Sequence, residues 1–328
     1  MRRRNFTAIL GATTTAVTVA AMSPDARAQA RTHKIGFLTL DGNEAAAVLA
    51  RPLEAMGYVV GRNLALDCRS AEGDPARLPA LAADLVRANP DVLVAGWGTL
   101  APKALKAATS TVPIVFVTAG DPLGAGLVQG LARPGGNVTG MSGQSSELKG
   151  KQLQLLLTVL PGQKVVGAIV NPETPYGVLA LKETSAAAGK QGVRLEVLEA
   201  RRPDEFTAAR MDTLAAAGAT SLMIIEDPMV SSIRTTIIAE AVRLKLPTIT
   251  SLEEFVAAGV LMRYGASQAE RYRNAAAYVD RILKGARPAD LPVLQPTKFD
   301  LAISKKAATA IGLTFPPSLL AQADEVIE

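Results

Sequence analysis

Three apolar runs in this chain of 328 residues end in an Asx-Pro pair. Val115-Phe116-Val117-Thr118-Ala119-Gly120 leads into Asp121-Pro122, Gly167-Ala168-Ile169-Val170 into Asn171-Pro172, and Leu222-Met223-Ile224-Ile225-Glu226 into Asp227-Pro228. Each predicts a strand feeding a helix. The Asx oxygen can cap the helix, and proline suits the first helical position because its missing N–H was an orphan anyway. In a parallel α/β sheet such junctions line the carboxyl edge, where ligands bind.

Other chemistries lack their residues. The sole histidine, His33, stands just past a proposed cleavage point and is expected in a solvated terminus. A Ser-His-Asp triad or a histidine metal site is therefore hard to build. Ser142, in Gly140-Met141-Ser142-Gly143-Gln144, lacks the last glycine of a nucleophile elbow. No Gly-x-Gly-x-x-Gly follows the first strand, where Leu38-Thr39-Leu40-Asp41-Gly42-Asn43 stands, and there is no phosphate loop. Cys68 is the only cysteine, so an internal disulfide and a two-cysteine racemase are both excluded. It alternates in phase with Leu64 and Leu66, as a buried strand cysteine would. Carboxylates remain, but nothing marks a catalytic pair. The reading is a binding protein, not an enzyme, with no cofactor and no metal.

The elements that must hold these residues alternate along the whole chain. Lys34–Leu40, Leu64–Arg69, Asp91–Ala95 and Pro113–Thr118 read as strands, with helices Glu44–Met56, one opening at Asp74-Pro75, and Leu100–Thr109 between them. Residues 132–145 are rich in Gly and Ser and read as a passage from one lobe to another. The alternation then restarts. Helices are expected at Glu147–Leu160, Tyr176–Gln191, Asp204–Ala217, Met229–Lys245 and Ala269–Leu283, and strands at Lys164–Val170, Arg194–Leu198, Ser221–Glu226, Thr248–Thr250 and Leu261–Tyr264. Short apolar strands joined by helices give parallel sheets with both faces covered. Two doubly wound units fit better than one large sheet.

Residues 1–30 read as an export signal. Arg2-Arg3-Arg4 is a basic start, Ala8–Met22 a short, weakly apolar stretch, and Ala26-Arg27-Ala28 and Ala28-Gln29-Ala30 are small-x-small cleavage candidates. Arg3-Arg4-Asn5-Phe6 is similar to a twin-arginine core without its usual Leu-Lys, so the Sec and twin-arginine routes both stay open. Cys68 is too distant to be a lipobox cysteine, so no lipid anchor is expected. The signal carries Arg2, Arg3, Arg4 and Arg27 against Asp25, so much of the formal charge of +5 leaves with it. No basic block interleaved with aromatics remains, which argues against nucleic acid as a partner.

From Met56 onward the chain resembles a known family across essentially its whole length. The blocks are Met56-Gly57-Tyr58-Val59-Val60-Gly61-Arg62-Asn63, Leu78-Pro79-Ala80-Leu81-Ala82-Ala83-Asp84-Leu85-Val86, Leu131-Ala132-Arg133-Pro134-Gly135-Gly136-Asn137-Val138-Thr139-Gly140 and Tyr278-Val279-Asp280-Arg281-Ile282-Leu283-Lys284-Gly285. Gln295-Pro296-Thr297-Lys298-Phe299 and Ala321–Glu328 complete them. The resemblance is to the periplasmic substrate-binding proteins of ABC transporters, among relatives of the tryptophan/tyrosine-type binding proteins. It implies the type 1 periplasmic binding fold: α/β, two doubly wound parallel-sheet lobes joined by a multi-strand hinge. Lobe 1 would be 31–144 plus 265–297, and lobe 2 145–264 plus 298–328.

The resemblance also implies a cleft lined by strand ends from both lobes. Its candidate residues are Thr39, Trp97, Thr99, Asp121, Thr139, Asn171, Asp227 and Tyr264. Helix N-termini after Thr99, Asn171 and Asp227 would suit a carboxylate, and Asp121 and Asp227 an ammonium. Trp97 stands where the family has a small-residue Gly-Gly-Thr-Pro run; here the loop reads Gly96-Trp97-Gly98-Thr99-Leu100. The implied function is periplasmic capture of a small solute, an amino acid or related carboxylate, by a monomer that delivers it to a permease in the inner membrane. A periplasmic sensor component and an exported carboxylate enzyme are the competing readings.

Overall fold

Two sheets form because each apolar run is too short and too uniformly buried to be anything but a covered strand. β6 (Val165–Val170) is buried along its whole length. The computed structural model describes residues 31–40, 42, 44–143 and 146–328. The expected export signal and Asp41 lie outside the described residues.

The first sheet takes β1 (His33–Thr39), β2 (Leu64–Ser70), β3 (Val92–Trp97), β4 (Ile114–Ala119) and β5 (Val138–Ser142) in the order β2-β1-β3-β4-β5, all parallel. Its register sets Phe37 beside Cys68 on one side and Val94 on the other. Helices α1 (Glu44–Ala55), α2 (Leu78–Arg87) and α3 (Leu100–Ala108) connect the strands.

The second sheet joins β6 to β7 (Arg194–Glu199), β8 (Leu222–Ile224), β9 (Thr248–Thr250), β10 (Met262–Gly265), β11 (Asp300–Ser304) and β12 (Glu325–Ile327), ordered β12-β11-β10-β9-β8-β6-β7. Only the β10–β11 pair is antiparallel among the described strand pairs. Its helices are α4 (Ser146–Val159), α5 (Pro175–Gln191), α6 (Ala208–Ala216), α7 (Pro228–Ser232), α8 (Arg234–Arg243) and α9 (Glu254–Ala258). α10 (Gln268–Leu283) returns to the first sheet, while α11 (Lys305–Ala310) and α12 (Pro317–Leu320) flank the second.

The chain passes between the sheets three times: after Gly143, at Ala266-Ser267 between β10 and α10, and at 295–299 before β11. Beside these passages Leu294 bridges Met141, and Ser142 donates its N–H to the Leu294 carbonyl at 2.7 Å. α10 lays Tyr272, Ala275 and Val279 against Ile35, Phe37 and Val94, with α1 supplying Leu49 and Leu53 to the same layer. The second sheet's core holds Ile169, Phe206, Ile224 and Phe255 on one face and Val166, Met223, Ile249 and Phe315 on the other.

Several sequence expectations change. The segment 229–245 is two helices, broken at Ile233 (φ −105°, ψ 17°). There Ser232 Oγ donates to the Met229 carbonyl (2.6 Å) and Arg234 Nη1 to the Ser231 carbonyl (3.1 Å), so side chains take oxygens that a continuous helix uses. Likewise Pro203–Glu205 is a separate 3₁₀ turn ahead of α6. Of the three strand-end Asx-Pro pairs, only Asp227-Pro228 starts a helix. Asp121-Pro122 opens turns, and α5 begins after Thr174, whose hydroxyl accepts from the Gly177 N–H at 3.0 Å. His33 is not a loose terminus. It belongs to β1, its imidazole 4.0 Å from Asp91 and edge-on to Tyr58. Cys68 is half-buried against the first core, and burial, with Asp67 adding, pushes its thiol up to about 11.

Candidate functional site

The carboxyl ends of the two sheets face each other across a cleft. The first sheet contributes Gly98, Thr99 and Leu100 from the β3–α3 junction, Thr118 from β4 with Gly120 just past it, and Met141 and Ser142 from β5 with Gly143 just past it. α10 adds Glu270, Arg271 and Asn274. The opposite wall is Leu148, Thr174, Tyr176, Glu226, Asp227, Pro228, Ser251 and Leu252. Leu294, Gln295, Pro296, Phe299, Ala266 and Ser267 close it at the crossing segments.

The walls touch at two glycines. Gly98 has φ +96°, which suits glycine, and a β-carbon there would sit 3.0 Å from Pro228 Cγ. A β-carbon on Gly120 would overlap the ring of Tyr176.

A buried polar cluster sits behind the second wall. Glu226 accepts from Lys149 Nζ, from Ser251 Oγ and, at 3.1 Å, from the Tyr176 hydroxyl. Lys149 also donates to Gln152 Oε1 (3.2 Å), whose amide donates to the Tyr264 carbonyl (2.9 Å). Lys149 and Glu226 are both buried. Burial pushes the Glu226 carboxyl up, but the Lys149 ammonium and the Ser251 hydroxyl outweigh it and hold it below its ordinary value. Burial, then the Glu226 charge, push the Tyr176 phenol well above its ordinary value.

The expected site residues divide. Thr99 and Asp227 line the cleft. Thr99 is the N-cap of α3 by position, yet its hydroxyl makes no cap bond. Asp227 caps α7: its Oδ1 accepts from the Met229 N–H (2.8 Å) and from Asn171 Nδ2 (3.1 Å). Burial raises its carboxyl above the ordinary value despite those bonds. Thr39, Asp121, Thr139, Asn171 and Tyr264 are not lining residues. Thr39 is buried behind Gly96, and Thr139 donates to the Leu291 carbonyl at 2.7 Å. Asp121 accepts from the Gly124 N–H (2.8 Å), closing its own turn. Asn171 accepts from the Glu173 N–H (3.0 Å) as it donates to Asp227. Tyr264 stacks behind Phe299, centroids 5.9 Å apart, and it is Phe299 that faces the cleft. Trp97 ends β3, and its side chain lies outside the described part. The two aspartates expected to meet an ammonium are thus engaged with their own backbone. Of the three expected helix N-termini, Asn171 heads none.

Sequence reasoning missed Tyr176, Glu226, Arg271, Asn274 and Phe299. Glu226 closes a strand run and Tyr176 opens a helix, so both carried a positional signal. Arg271 carried none, since it reads as one polar residue of an amphipathic helix. Among the described residues no group of three or more His, Cys, Asp or Glu is placed to hold a metal, and no helix is long and apolar enough to cross a membrane.

Two α/β sheets with a cleft between their carboxyl edges define a protein of the type 1 periplasmic binding fold, a frame shared with periplasmic binding proteins far more divergent in sequence. Residues 43–327 match the model of the ABC transporter substrate binding protein family, and the chain belongs to that family. It is 26% identical over 269 residues to a tyrosine-binding protein of Clostridioides difficile, covering 80% of this chain and 75% of that protein. A conserved domain protein from Vibrio cholerae superposes with a TM-score of 0.84 at 31% identity, covering 90% of this chain and 100% of that one. The ABC domain from Streptococcus pneumoniae in complex with L-Trp superposes with a TM-score of 0.83 at 27% identity, again over 90% and 100%.

Proposed function

We propose that this chain is a periplasmic component of an ABC importer, exported by a Sec or twin-arginine signal. As a monomer it captures an amino acid or related small carboxylate between its lobes and delivers it to an inner-membrane permease. The lobes are taken as 31–144 plus 265–297 and 145–264 plus 298–328. The observation that carries this reading is the cleft itself: two walls from separate sheets meet at Gly98–Pro228 and Gly120–Tyr176, and residues of the three crossing segments line it. Walls that touch through glycines can part and reclose around a solute by rotation at those segments. The tyrosine- and L-Trp-binding relatives favour an amino acid.

Within this reading Thr99 contacts the solute through its free hydroxyl, and Asp227 shapes the wall while capping α7. Thr39, Asp121, Thr139 and Asn171 hold the loops that do the contacting, and Tyr264 backs Phe299. Native mass spectrometry of gently purified protein tests the reading. A retained small carboxylate supports it. Turnover of such a solute, or no stabilisation by any amino or 2-oxo acid in a thermal-shift panel, would overturn it.

A further inference from the structure

The cleft contains a cation whose best hydrogen-bonding edge is unoccupied. Arg271, in the first turn of α10, donates from Nη1 to the Ala266 carbonyl at 3.2 Å. Its Nε is buried and meets no acceptor among the described residues, and neither does Nη2 on the same edge. That Nε–Nη2 edge is a guanidinium fork, the geometry that grips a carboxylate with two parallel bonds.

No carboxylate pairs directly with Arg271 among the described residues; Glu254 and Glu253 act on it only through space. Arg263, also buried, donates from Nη2 to the same Ala266 carbonyl (2.7 Å) and to the Gly265 carbonyl (3.3 Å), and its Nε is likewise without an acceptor. Two guanidiniums thus converge on one carbonyl. The acids that face them are engaged elsewhere. Glu253 lies 3.9 Å from Arg263 and accepts from the Gln268 N–H at 3.0 Å, and Glu254 accepts from Ser231 Oγ at 2.7 Å. Arg271 itself has no ion-pair partner among the described residues. Burial first, and then the Arg263 charge, push its guanidinium below the ordinary value. A guanidinium does not shed its proton at working pH, so such a site favours an anion.

The surroundings define what kind of anion. Asn274 lies one turn along α10 and also lines the cleft, while Leu100, Met141, Leu148, Leu252 and Phe299 give apolar surface. We propose that the Nε–Nη2 edge of Arg271 is the carboxylate receptor of this cleft, and that the solute is a small organic acid with an apolar body. The assignment rests on the solute-binding reading above and adds a specific recognition group to it.

Calorimetric titration of the purified protein tests it, with the common amino acids and their 2-oxo acids each paired with its carboxamide, and with chloride and phosphate as inorganic arms. Wild type is expected to bind at least one acid and to bind its amide on the order of 100-fold more weakly. Arg271→Gln should lose a similar factor, Arg271→Lys should recover part of it, and Arg273→Gln, exposed on the same helix, should match wild type. Circular dichroism checks that each variant is folded, and Arg271→Lys keeps the test decisive if Arg271→Gln is not. Equal binding of acid and amide, or full affinity in both Arg271 variants, overturns the assignment but leaves the solute reading standing. Binding of inorganic anions alone, lost in Arg271→Gln, reduces the fork to an ion site and overturns it too. No binding by any acid or amide overturns both.

Discussion

Gly120, just past the end of β4, lies so close beneath the ring of Tyr176 at the start of α5 that a single added methyl group would overlap it. The two residues belong to opposite walls of the cleft, and the Tyr176 hydroxyl is held by Glu226. The ring is therefore a fixed bearing surface, and Gly120 is the surface it rests on.

Gly120→Ala should keep the walls apart. Overpacking of this kind costs about 1–3 kcal/mol, which here falls on closure, not on either core. Affinity for a solute that stabilises wild type should drop by roughly 10-fold or more, with little change in melting temperature of the solute-free protein. Small-angle scattering should show a larger radius of gyration for the variant in the presence of solute.

Lys149→Met should be strongly destabilising, by about 3–5 kcal/mol, because it leaves Glu226 buried and charged without its cation. The companion change Glu226→Gln, added to Lys149→Met, should recover a large part of that loss. Denaturant titration of the two single variants and the double variant reads the coupling directly.

The two adjacent acids at the end of β8 should give opposite pH signatures. Glu226 is held below its unfolded value, so its stabilisation is present above about pH 4.3 and fades as pH falls through the folded value. Asp227 is raised, so its contribution is present below about pH 3.9 and fades as pH rises through the folded value. Thermal melts across pH 3–7 should show Glu226→Gln flattening the acid limb and Asp227→Asn flattening the opposing slope.

Two threonines should exchange the roles that their types alone suggest. Thr139→Val removes the donor from the buried Leu291 carbonyl and should cost about 1–3 kcal/mol in stability. Thr99→Val removes a hydroxyl that caps nothing, so stability should hold while solute affinity falls by about 10-fold or less. A melting curve and a titration on each variant separate the two effects.

The strand–helix alternation was legible because it is local: β6 reads as a strand from six consecutive residues, and Asp227-Pro228 as a helix start from two. Asn171 misled for the same reason. Its side chain is drawn to Asp227, a residue 56 positions later, and Thr174 takes the cap instead. The Lys149–Glu226 pair spans 77 positions, so no window on the sequence joins them. Arg271 was hidden differently. A charged residue on an amphipathic helix normally faces water, and only the return of α10 to the first sheet turns this one inward.

That return has a bearing on how the chain matures. The layer that covers Ile35 and Phe37 includes Tyr272, Ala275 and Val279, all from α10, and β5 is bridged by Leu294. The strands of the first sheet are synthesised well before those residues, so the sheet waits with one face covered by α1 alone while the second is made. Folding of the N-terminal half is therefore not a vectorial event. A nascent chain ending before α10 carries a partly exposed apolar face, prone to association and in need of shielding, and the protein becomes self-sufficient only when its final quarter has emerged.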